Sequence, residues 1–235
     1  ALRSGTGTQA RTDVADTRIA WLVPGTTTNT FNRLRRGLLT CDTSAIPPTA
    51  SLLQARLFLF GTGKTNGLGS TDLVVVPANP QSNHAFAAAD YARLGTTELG
   101  SIAYGAFTVG AYNAIPLNPA AITPGGITRL GLRLRWDLTG SFTGAWQSSG
   151  NTGFSIAFAE AGTTTGPYLH IVYTLPGGAT PTPTQTPTPT PTPTRTATMV
   201  TTATPTRTPT RTPTPSDALI FADSFESGTL GAWSG

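Results

Sequence analysis

The chain has 235 residues, a formal net charge of +4 and only 11% charged residues. Its single cysteine excludes an internal disulfide framework and a cysteine-based zinc site, and the isolated His84 and His170 supply no local metal motif. The basic residues are scattered rather than clustered, which argues against a nucleic-acid binder, and no apolar run approaches the roughly 18 residues of a membrane helix.

Low charge with abundant Gly, Thr and Val predicts an all-β domain joined to a low-complexity segment. "TRIAWLV" (17–23) is the first predicted strand, closed by Pro24-Gly25. "RGLLTC" (36–41) is the second. It turns through "DTSAIPP", where Asp42, Thr43 and Ser44 can satisfy turn amides and Pro47-Pro48 ends the pairing. Cys41 is expected to fill a core position as a small hydrophobe, not to act as a nucleophile. "SLLQARLFLF" (51–60) is apolar on both faces and is placed centrally in a sheet. The following "FGTGKTNG" (60–67) ends like a phosphate-binding loop. The first glycine of that motif would fall at Phe58, however, and no helix follows, so a hairpin loop is expected.

"DLVVV" (72–76) is a fourth strand, and the Ala-rich "FAAADYARL" (86–94) is predicted as the one short helix. Strands are expected at 101–109, 112–117, 127–136, 153–159 and 168–175. The clearest alternation is in "ITRLGLRLRW": Leu130, Leu132, Leu134 and Trp136 share a buried face, and Arg129, Gly131, Arg133 and Arg135 a wet one. Many short strands, one helix and no βαβ rhythm predict an antiparallel β-sandwich of jelly-roll type over residues 1–178.

Residues 179–215 alternate Thr and Pro. Proline lacks an amide donor and restricts the residue before it to extended conformations. The segment is therefore expected to be a disordered, polyproline-like spacer of the kind that displays a domain on an exported, O-glycosylated protein, and the whole is placed outside the cell or on its surface. A cytosolic linker with PxxP-like spacing is the competing reading. Position 1 is not Met, so any signal segment is expected to be absent or already removed, and residues 216–235 read as the start of a further domain or, alternatively, as a short terminal tag.

No catalytic constellation is local in the sequence. There is no nucleophile elbow, and Glu98 and Glu160 are the only glutamates of the globular part, a thin basis for the paired carboxylates of a glycosidase. His84 near Asp90 has no further support. The candidate ligand-binding residues are Arg129, Arg133 and Arg135, which could hold acidic sugars through paired contacts, and Trp146 as an aromatic platform. Against these stand arginines that keep a sheet soluble and a tryptophan folded over a sandwich end. No cofactor is expected. Asp13, Asp16, Asp72 and Asp137 are candidates for a structural calcium, without a D-x-D-x-D loop.

"RRGLLTCDTSAIPPTASLLQARLFLF" resembles the strand-turn-strand of DNRLRE-type modules, in which "R-x-L-L-x-F-D-x-S-x-I-P" leads into "A-x-L-x-L". "VVVPANPQSNHAFAAADYARLGTTELGSIAYGAFTVGAYNAIPLNPAAI" is similar to the middle of that family, and "ITRLGLRLRWDLTGSF" and "GPYLHIVYTL" to its last strands. The resemblance spans about residues 10–175, with Cys41 where the family usually has an aromatic. It implies a non-catalytic, secreted bacterial β-sandwich associated with carbohydrate binding, appended to other domains. "IFADSFESGTLGAW" resembles a segment that follows Thr/Pro linkers in bacterial exported proteins. The expected function is thus binding of polysaccharide or cell-wall glycan. A structural or adhesion spacer and a polysaccharide hydrolase or lyase are the alternatives.

Overall fold

Alternating residues on the strands send leucines to one side and polar or aromatic groups to the other, and two antiparallel sheets form by closing the leucine sides together. The computed structural model describes residues 2–11, 17–158, 165–176, 221–224 and 233–234. The linker at 179–215, together with Asp13, Asp16 and Glu160, lies outside the described residues.

The strands are β1 (Ala10–Arg11), β2 (Arg18–Pro24), β3 (Phe31–Arg35), β4 (Gly37–Asp42), β5 (Ser51–Asn66), β6 (Leu73–Pro77) and β7 (Gly100–Ile102). They continue as β8 (Tyr112–Leu117), β9 (Ile127–Leu134), β10 (Thr152–Ile156), β11 (Tyr168–Thr174), β12 (Phe221–Ser224) and β13 (Trp233–Ser234). One sheet runs β12-β11-β5-β10-β2-β3, with β8 also paired to β5; the other runs β4-β9-β6-β7. The described parts of the C-terminal segment pair back onto this unit, β12 with β11 and β13 with β1. Leu57, Leu59, Phe154, Leu169 and Ile171 of the first sheet meet Leu39, Cys41, Leu73, Val75, Leu130 and Leu132 of the second in one core. The molecule is an antiparallel β-sandwich, as the sequence predicts.

Cys41 is 5% exposed, opposite Thr128 across the β4–β9 ladder. The Ser44 hydroxyl, and then the Ser44 amide that the Asp42 carboxylate accepts at 2.9 Å, hold that carboxyl below the ordinary carboxylate pKa. The buried Thr43 hydroxyl donates to the carbonyl of Thr123 or Gly126, so the turn is satisfied as expected.

Several local expectations change. Strand β3 sits where no strand is predicted, and β7 stops at Ile102, after which the chain turns so that Phe107 plugs the core. The "FGTGKTNG" segment is no hairpin loop. It is the second half of the 16-residue β5, which pairs with β11 through Ser51–Phe58 and with β10 through Gly61–Asn66. From its end the chain crosses to the other sheet.

The helix at 86–94 is a single 3-10 segment, Ala88–Arg93, held by the Asp90 carboxylate, which accepts the amides of Gln81 and Ala87. It lies in the excursion that covers the predicted wet face of β9. Leu94 sits where a side chain at Gly131 would stand, and Arg133 is 3% exposed. The alternation is correct, but the second face is roofed rather than solvated. Finally, β9 ends at Leu134, and Arg135–Thr139 form a short α-helix, α1, closed by Gly140 in the left-handed conformation (φ 79°).

Candidate functional site

The polar and aromatic side of β5 faces outward between β8 and β11. Leu57 and Leu59 point inward, so Phe58 and Phe60, offset by one residue, point out and are half-buried. Register then assembles a face from three strands. Phe58 lies opposite Tyr168 on β11 and Ala114 on β8, and Phe60 lies opposite Tyr112. The rings of Phe58 and Tyr168 stack with centroids 4.6 Å apart and planes within 4°. Tyr112 meets Tyr168 edge-on at 5.2 Å and Phe60 at 5.3 Å, and His170 meets Phe58 at 6.4 Å.

Such pairs are worth about 0.5–1.5 kcal/mol each beyond area burial, enough to fix the rings in place before any ligand arrives. Tyr112 donates its hydroxyl to the Gly166 carbonyl at 3.0 Å. Burial, and then the neighbouring Tyr168, push its pKa upward, so it stays a neutral donor. Exposed Arg56, opposite His170, adds a cation beside the rings. The result is an ordered aromatic array on the outer side of the sheet, with polar groups at its margins.

The residues singled out by sequence are elsewhere, and they are not brought together. The Arg129 guanidinium donates to Asn83 Oδ1 at 2.7 Å. Arg133 is buried and grips Asp137 with Nε and Nη2, at 2.7 and 3.0 Å. Arg36 grips the same carboxylate from the other side at 2.8 Å through both Nε and Nη2, and its third donor group reaches the Tyr91 carbonyl. Burial alone would raise the Asp137 pKa, but these hydrogen bonds outweigh it and hold it below the usual carboxylate value.

Arg135 pairs with Asp72 at 2.8 Å and with both oxygens of Glu98. Those contacts hold the Glu98 carboxyl low as well. Trp146 donates its indole N–H to the Thr30 carbonyl at 2.9 Å, lying against the β2–β3 turn. Of the calcium candidates, Asp72 and Asp137 are spent on arginine, and among the described residues no three His, Cys, Asp or Glu groups gather as a metal site. His84 is exposed while Asp90 is buried against backbone amides, so the two do not form a dyad.

Sequence reasoning passes over Phe58, Phe60, Tyr112 and Tyr168. The signal was present in "LFLF", where strict alternation of Leu and Phe separates a branched core face from an aromatic one. Reading both as core discards it. The scan against family models and the searches of curated proteins and of solved structures return no match to this chain.

Proposed function

We propose that the chain is a non-catalytic, extracellular module of DNRLRE type that binds polysaccharide or cell-wall glycan through the β5–β8–β11 face and is displayed on a Thr-Pro stalk. The observation that carries this reading is the stacked and edge-on aromatic array of Phe58, Phe60, Tyr112 and Tyr168 on the outer side of a sheet. A non-enzymatic role agrees with the pairing of Glu98 and Asp72 to Arg135, which leaves these acids as anchors rather than proton donors. Export agrees with the Thr/Pro composition of residues 179–215.

Co-sedimentation of the full chain with a panel of insoluble polysaccharides and isolated bacterial cell walls tests the proposal. Saturable depletion on at least one glycan is expected. Failure to bind any of them would leave a structural spacer as the function.

A further inference from the structure

Away from the aromatic face, the loops following β5 and α1 border an open cleft of about 360 Å³, within the volume range of small-molecule sites. Its walls are built rather than incidental. The Ala145 amide donates to the Leu68 carbonyl at 2.9 Å, and the buried Thr152 hydroxyl bridges the Leu68 amide and the Gly69 carbonyl. A Cβ on Gly144 would collide with the Leu68 carbonyl oxygen, so only glycine lets the two loops close to this distance. The Trp136 indole, 7% exposed, forms one wall and is locked by its N–H to Thr143 Oγ1 at 2.9 Å and by an edge contact with Phe142.

The polar groups in these walls are incompletely used. Thr71 is 5% exposed, and its hydroxyl is buried without a hydrogen-bond partner among the described residues. A buried orphan hydroxyl costs on the order of 1–3 kcal/mol, but this oxygen is closed off from the cleft, so the groups a ligand there can reach are the others. The Asp72 carboxylate receives Arg135 on Oδ2 only, and the Ser141 hydroxyl receives no bond from the described residues. The Thr143 hydroxyl accepts from Trp136 and keeps its own proton to give. Arg135 is engaged by Asp72, Glu98 and Ser101 through four of its five N–H groups. The cleft therefore offers hydroxyl donors and acceptors beside an indole, and its one cation is already neutralised.

We infer that this cleft is a second binding site, for a single neutral sugar unit or similar polyol, separate from the aromatic face. It rests on the carbohydrate reading only for the class of ligand. A neutral polyol matches mixed donors and acceptors, whereas an anion would have to displace carboxylates from Arg135.

The test is titration of the isotopically labelled full chain with neutral methyl glycosides, read as amide shifts at Ser70–Asp72 and Ser141–Thr143. Saturable shifts there are expected at about millimolar concentration. They should weaken more than tenfold in Ser141→Phe, which obstructs the mouth from an exposed position, and persist in Phe58→Ala. Shifts confined to Phe58, Tyr112 and Tyr168, or no shift with any glycoside, would overturn the cleft site. Loss of polysaccharide co-sedimentation in Phe58→Ala reports on the aromatic face and loss of the cleft shifts in Ser141→Phe on the cleft, so the two readings fail separately.

Discussion

At the scale of single residues, chemistry is decided by what surrounds a group rather than by its reactivity in isolation. Cys41 pairs with an acid in sequence, yet the strand that carries it turns the thiol into the core and the acid onto the Ser44 amide. A buried thiol in apolar surroundings is inert. Cys41→Ala should cost about 1 kcal/mol of stability and leave glycan binding unchanged. Native Cys41 should label with a thiol reagent only as fast as the protein unfolds, and rapid labelling of the folded chain would contradict this placement. This much was legible in "RRGLLTCDTSAIPP", because apolar neighbours and a proline-closed turn are local features. The fate of Arg133 was not legible. Alternation fixes which side of β9 it occupies, but whether that side is wet depends on the 79–95 excursion packing over it, a non-local fact.

At the scale of elements, α1 shows an ion network overriding a strand pattern. Trp136 continues the apolar alternation of β9, and the sequence predicts a strand through it. Asp137 instead turns back into a pocket between Arg133 and Arg36, closing one helical turn. Both arginines and the acid are buried, so removing the acid strands two charges. Asp137→Asn should destabilise the fold by about 3–5 kcal/mol in chemical denaturation.

The same network sets an acid limit. The hydrogen bonds from Arg36 and Arg133 hold the folded pKa of Asp137 below the ordinary carboxylate value, so its stabilising contribution is complete above that ordinary value and is lost as pH falls through the lowered folded pKa. Denaturation midpoints should therefore hold steady from neutral pH down to about 4 and drop below it, more steeply in the native chain than in Asp137→Asn. Equal slopes for the two proteins would remove Asp137 from the acid transition.

At the scale of the whole molecule, one sandwich presents two unlike surfaces. The four-stranded sheet is roofed by Leu94, Phe86 and their neighbours, while the sheet around β5 leaves aromatic side chains outward. The fold class followed from strand count and turn chemistry. The aromatic face did not, because it needs the register that brings β8 and β11, far apart in sequence, to either side of Phe58. The Thr/Pro alternation of residues 179–215 is read from composition alone, and that segment lies outside the described residues.

The central claim is that this face binds glycan. The most direct measurement compares binding isotherms of the full chain and its Phe58→Ala/Tyr168→Ala variant on a polysaccharide that the native chain retains. Matching thermal melts would show that both are folded. A loss of affinity of more than tenfold is predicted, equivalent to roughly 1.4 kcal/mol or more. Unchanged affinity in a folded variant would contradict the account.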